Sequence, residues 1–219
     1  MIIKQEILSP ENNRIQLLTV GNSFANPRST ALLIGVLHGD EQEGEFLINN
    51  LMRDIEENPE LTGNNEILFI PCLNPDGKQK NIRKNSNGVD LNRNFPTENW
   101  VKSKEKDKFY PGDEPASEVE TKFIIDIFEE YTPDRILTMH SPYKVINYDG
   151  PADAISENMS RFNGYPVQFY IGYPTPGSFG TYSGKERNIP TVTLELPVGC
   201  EPETLWLENK KALYYFISL

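Results

Sequence analysis

Apolar residues fall into two patterns along the chain: short runs that are apolar throughout, and longer stretches with apolar residues every three or four positions. "STALLIGVL", residues 29 to 37, is a run of the first kind and breaks into the polar turn "HGDEQEG". Such a run predicts a strand buried on both faces. "NEILFIPCLNPDG" predicts a second strand leading into a Pro-Asp-Gly turn, and "IPTVTLELP" predicts another. Arg14–Val20 alternates enough for a strand, and Arg135–Met139 predicts one that ends at His140. The longer period appears over Gly44–Glu57, where Phe46, Leu47, Leu51 and Ile55 share a face and Pro59 marks the stop. Ser117-Glu118-Val119-Glu120 has the form of a capping box opening a helix to about Tyr131. Ala152–Asn163 and Pro202–Leu219 read as further helices, the last amphipathic.

Strands alternating with helices predict an α/β fold: a three-layer sandwich whose mixed, largely parallel twisted sheet carries helices on both faces. With 219 residues and no repeat, the expectation is a single catalytic domain over residues 1–219. Sheets of this kind bind ligands beyond the carboxyl ends of their strands, where both histidines and Asn74 fall. Residues 77 to 116 read as one long polar loop, a length that usually signals function or partial disorder.

Charge narrows the partners. A net charge of −11 disfavours nucleic acid and anionic membrane surfaces. Two cysteines build no disulfide framework, no secretory leader is visible, and no apolar run reaches the length of a membrane span. These features predict a cytoplasmic protein with a small substrate.

The chain has only two histidines. His38 and Glu41, three apart in one turn, can reach a single ion, and His140 arrives from another strand end. Two histidines and one acid are the donor set of a catalytic zinc site, with the fourth position left for water. An isolated HxxE is common by chance; the second strand-ending histidine is what raises this one. Glu195 adds an acid inside an apolar strand, where an ionised carboxylate is costly unless paired or working. Beside a zinc site it can take a proton from water and pass it to a leaving amine. In "NIRKNSNGVDLNRNFP", Arg83 and Arg93 predict an anion site, since guanidinium forks match carboxylates. Lys84 reads as solvated surface.

The ordered series HGDE, NPDG, R-x-N before GVDLNRNFP, a strand-ending H-S, GSFGTY and TLELP resembles the zinc carboxypeptidase family, the relatives of carboxypeptidase A. The resemblance spans about residues 31 to 199 and implies one zinc per chain, held by His38, Glu41 and His140. It implies Glu195 as general base and acid, and Arg83 as the group facing the oxyanion. By the same resemblance Asn92 and Arg93 hold the substrate's terminal carboxylate, and Tyr173 is the mobile pocket tyrosine. Within the family, HGDE, VDLNRNFP, PASEVET and GYPTPGSFGTY look most like the bacterial murein peptide amidases. These cut the γ-D-glutamyl–meso-diaminopimelate bond of cell-wall peptides in cell-wall recycling. Gly180 falls where a digestive enzyme carries a larger or charged residue, which argues against plain C-terminal hydrophobic preference.

Two alternatives stand beside this reading: deacylation of N-acyl amino acids, as in the aspartoacylase and succinylglutamate-deacylase branch, and general carboxypeptidase action. A metal-bound but inactive peptide-binding module would have lost Glu195 or Arg83, and both are present. For a diaminopimelate head, the segment "YPTPGSFGTY" offers Ser178, Thr181 and aromatic walls, and no extra charge.

Overall fold

A computed structural model describes residues 1–21, 26–170 and 172–219. Its strands are β1 (Ile2–Leu8), β2 (Arg14–Thr19), β3 (Thr30–Ile34), β4 (Glu66–Ile70), β5 (Arg135–His140), β6 (Val145–Asp149), β7 (Val167–Gln168) and β8 (Thr191–Glu195). Among the described residues they form one sheet in the order β1-β2-β4-β3-β5-β8-β6-β7. The centre, β4-β3-β5-β8, is parallel, while β1, β2 and β6 pair antiparallel at the flanks. The helices are α1 (Glu43–Glu57), α2 (Pro75–Lys80), α3 (Val119–Tyr131), α4 (Asp153–Asn163) and α5 (Pro202–Ser218).

Both faces of β3 and β4 are covered, and for this reason they run apolar through Ala31–Ile34 and Ile67–Ile70. Ala31 and Leu33 of β3 pack with Leu47 and Leu51 of α1 and Leu213 and Phe216 of α5. Leu32 and Ile34 face the other way, onto Phe123, Ile124 and Ile127 of α3. Each such leucine, isoleucine or phenylalanine stabilises the fold by about 1.5–3 kcal/mol of burial. Helix α1 begins with Glu43 and Glu45 in its first turn, where carboxylates oppose the positive end of the helix dipole. It ends at Asn58, since Pro59 disfavours the helical conformation in the residue before it.

Three expectations are corrected. Pro75-Asp76-Gly77 does not turn but opens α2: Asn74 Oδ1 accepts the Gly77 N–H at 2.9 Å, and Pro75 brings no N–H to orphan. Ser117 forms no capping box, because its hydroxyl donates to Glu118 at 2.6 Å instead of capping the backbone. Glu120 is fully buried against the Asn85 amide, and burial pushes its carboxyl up to about 7. The polar stretch from 77 to 116 is partly helical, with α2 reaching Lys80 and a single 3-10 turn at Leu91–Arg93. Its asparagines serve the backbone: Asn85 accepts the Val89 N–H at 3.0 Å and Asn94 donates to the Pro111 carbonyl at 2.7 Å.

Strand β3 has β4 on one side and β5 on the other, so the chain leaves it in two directions and opens a crevice at its carboxyl end. The carboxyl ends of β3, β5 and β8 point into that crevice together, carrying His38, His140 and Glu195.

Candidate active site

Beyond Ile34 the chain turns sharply through Val36, held at φ 49, a conformation that β-branched residues rarely adopt. The turn lies flat on α2: a Cβ on Gly39 would sit 2.1 Å from the Gly77 carbonyl carbon, so only glycine fits there. The Arg83 carbonyl accepts the Gly39 N–H at 3.2 Å and the Asn74 amide at 3.3 Å, which ties the HGDE turn to the long loop.

Three donor atoms converge at this turn. His38 Nδ1 lies 2.9 Å from Glu41 Oε2, His140 Nδ1 lies 2.8 Å from that same oxygen, and the two ring nitrogens are 3.1 Å apart. Those spacings are close to the edges, about 3.3 Å, of a tetrahedron built on metal–nitrogen bonds of roughly 2.0–2.1 Å. Behind His38, Asp90 Oδ1 meets Nε2 at 3.2 Å, and its other oxygen accepts from Arg83 Nε at 2.8 Å. A carboxylate on Nε2 fixes the proton there and leaves the Nδ1 lone pair free for a metal.

The electrostatics favour a cation at the point of convergence. Burial acts to raise both Glu41 and Asp90, yet the histidines, together with Arg83 at Asp90, hold both carboxyls well below the ordinary range. Burial likewise acts against a charged His38, and the two carboxylates overcome it, raising His38 above its usual value. A field that draws a proton onto a buried ring draws a metal ion equally, so the donor set fits a divalent metal.

Glu195 is the register partner of His140 across β5 and β8, and both project onto the same face. Burial raises its carboxyl above the usual value, and its Oε2 is buried without a hydrogen-bond partner among the described residues. Arg83 Nη1 lies 3.4 Å from Glu41 Oε1, at the edge of the His38–Glu41–His140 cluster. Asn92 Oδ1 accepts the Phe179 N–H at 2.9 Å, which fixes the side-chain amide, and Arg93 beside it is buried. Tyr173 lines the same cleft and stacks on Phe109 at 6.3 Å between centroids. Phe109 covers both Arg83 and Arg93, whose guanidinium carbons stand 5.2 and 5.1 Å from its ring centre.

All of these residues line one cleft of about 1000 Å³. Ser178 also lines it, with its hydroxyl donated to Thr181 Oγ1 at 3.0 Å; Thr181 itself stands behind Ser178 and does not face the cleft. The segment YPTPGSFGTY itself carries no charge, but Asp149, outside it, lines the same cleft and pairs with Lys185 at 3.1 Å. Sequence reading missed Asp149 because β6 is short and its position on the cleft face follows only from pairing with β8. Phe109 was missed because nothing in a polar loop singles out one aromatic. The alternation in "VINYDG", once tied to Glu195 through the register, is the signal that leads to Asp149.

The sequence profile described as zinc carboxypeptidase matches residues 5–163. Murein peptide amidase A of Escherichia coli K12 is 32% identical over 184 residues, covering 79% of this chain and 73% of that protein. Its counterpart in Vibrio campbellii is 32% identical over 202 residues, covering 87% of this chain and 77% of that protein. Among solved structures, murein-tripeptide amidase from Escherichia coli O157 superposes with a TM-score of 0.80 at 26% identity, covering 97% of this chain and 90% of the other.

Proposed function

The chain belongs to the zinc carboxypeptidase family and is a zinc-dependent hydrolase, and we propose that it cleaves the γ-D-glutamyl–meso-diaminopimelate bond of murein peptides. The observation that carries this reading is the convergence of His38, Glu41 and His140 at the mouth of a cleft that also holds Asn92, Arg93 and Glu195. The names of the two similar bacterial amidases support the substrate. Residues 1–219 act in this reading as one catalytic domain. The two cysteines, both free thiols, support work in a reducing cytoplasm.

His38 Nδ1, Glu41 and His140 Nδ1 are the zinc ligands in this proposal, and Asp90 orients His38 from behind. When bound, zinc supplies Lewis acidity at the scissile bond and makes water a stronger acid. Arg93 and the Asn92 amide hold the terminal carboxylate of the substrate, fixing which bond lies at the mouth of the cleft. Arg83 balances negative charge as it develops on the scissile carbonyl oxygen. Glu195 takes the proton of the attacking water on its unpartnered oxygen and returns it to the leaving amine. Its raised pKa suits both halves of that shuttle.

Purified protein incubated with L-Ala-γ-D-Glu-meso-diaminopimelate tests the reading by mass spectrometry. The expected products are L-Ala-D-Glu and free diaminopimelate, lost with a chelator and restored by zinc. Hydrolysis of N-acyl amino acids with no action on the tripeptide overturns the proposal in favour of a deacylase.

A further inference from the structure

The cleft is lined by a carboxylate, Asp149, that the hydrolysis itself does not use and that pairs with Lys185 beside the cleft. Asp149 closes β6 opposite Thr191, on the same sheet face as Asn147, Thr193 and Glu195. Four strand positions separate the Glu195 level from the Asp149 level, a depth of about 13 Å at the usual rise per residue. The fold makes room for this carboxylate with two glycines. A Cβ on Gly180 would lie 2.0 Å from Asp149 Oδ2, and one on Gly184 would lie 2.5 Å from Asp149 Cβ. Its other oxygen meets Lys185 Nζ at 3.1 Å, and the lysine side chain is half exposed.

Stability does not explain the arrangement. A partly exposed ion pair is worth about 0–1 kcal/mol, while glycines in a helical turn each cost roughly 0.5–1 kcal/mol relative to alanine. A carboxylate held at the bottom of a substrate cleft has a use if the substrate brings a cation to it. The deep position selects a long unbranched side chain; a methyl group ends far short of it.

Resting on the murein-peptide reading, we propose that Asp149 and Lys185 together read the zwitterionic end of the substrate's C-terminal side chain. Asp149 takes the ammonium, and Lys185 releases part of its hold on Asp149 to take the adjoining carboxylate. Diaminopimelate is lysine with one more carboxylate on its terminal carbon. Lysine therefore satisfies Asp149 alone, whereas diaminopimelate satisfies both members of the pair. The pair is neutral before and after binding, so no net charge is buried when the substrate enters.

The test compares kcat/KM for peptides ending in diaminopimelate, lysine or norleucine, the last being lysine without its ammonium. One series is linked through γ-D-Glu and a second through an ordinary α-peptide bond. Wild type is expected to order them diaminopimelate above lysine above norleucine, each step about 10- to 100-fold, the range for hydrogen bonds to charged groups. Asp149→Asn should collapse the lysine-to-norleucine ratio, and Lys185→Gln should collapse the diaminopimelate-to-lysine ratio. Because each readout is a ratio within one protein, a general loss of folding or zinc does not mimic it. If only α-linked peptides are cut, the murein reading fails while this inference is still scored on that series. A wild-type order that is flat, or ratios unchanged in both variants, overturns it.

Discussion

Asp90 Oδ1 stands 3.2 Å from His38 Nε2, on the side of the ring turned away from Glu41 and His140. The contact decides which nitrogen of His38 keeps its proton and so which one is free to bind metal. Asp90 is fully buried and also holds Arg83, so a single side chain orients one proposed ligand and the proposed oxyanion group. Asp90→Asn keeps the shape and removes the charge. Zinc affinity is expected to fall by about 10- to 100-fold, measured by competition with a chromogenic chelator; unchanged affinity would show that the contact does not tune the site.

Removal of the proposed base separates chemistry from metal binding. Glu195→Gln should retain zinc and stability but lose about 100- to 10,000-fold in turnover, the range for a general base. His140→Ala should instead lose the metal, since three protein ligands are the usual minimum for such a site. Elemental analysis alongside kinetics checks both, and full zinc occupancy in His140→Ala would contradict the ligand assignment.

Gly39 carries the HGDE turn against α2. In Gly39→Ala the added carbon meets backbone atoms of Gly77 and Lys78 at 2.1 and 2.4 Å, and neither is the end of a flexible side chain. Overpacking of this kind costs about 1–3 kcal/mol, or roughly 3–10 °C in melting temperature at this chain length. Calorimetry should show the loss together with weaker zinc binding, because the displaced turn carries His38 and Glu41.

Phe109 shields two guanidinium groups from water and packs on Tyr173. Each cation–ring contact is worth about 0.5–2 kcal/mol depending on burial. Phe109→Ala should therefore raise KM by about three- to thirtyfold, with a smaller change in kcat, because Arg93 loses a wall that aims it at the substrate carboxylate. An effect confined to kcat would place Phe109 in the chemical step instead.

Glu120 gives the fold a pH dependence far from the cleft. Its carboxyl is raised to about 7 in the folded protein by burial, above the ordinary 4.5. A raised acid favours the folded state while protonated, so its contribution is complete below about pH 4.5 and is lost as pH rises through 7. Glu120→Gln stays neutral throughout. At pH 8 the variant should be more stable than wild type by about 3 kcal/mol, or roughly 6–12 °C, and below about pH 4 the difference should vanish in parallel melting curves.

The apolar-rich runs at 29–37, 65–73 and 189–196 specified buried strands, and the three-to-four spacing in Gly44–Glu57 specified a helix. These signals were legible because burial acts on every residue of an element and repeats with its period. The scarcity of histidine, and the place of both at strand ends, likewise pointed to a metal from composition and order alone. Simple turn and cap patterns misled in two places, once through a local cap and once through a distant partner. Asn74 made a helix of Pro75-Asp76-Gly77, and Asn85, from another part of the chain, took up Glu120 beside the supposed capping box.

Lys185 and Phe109 had no signature along the chain, and the alternation that bears on Asp149 can be read only once the register is known. Asp149 faces the cleft only because β6 runs antiparallel to β8 in a register that sets it opposite Thr191, and a shift of one residue would turn it to the other face. Phe109 matters only because its loop returns over two arginines that are 26 and 16 positions earlier in the sequence. Hydrophobic periodicity and strand-end chemistry are local and repeat, so the sequence by itself determined the α/β layers and the metal-type residues. Register and loop return depend on single long-range pairings, so only the tertiary structure decided which charges and rings gather at the cleft.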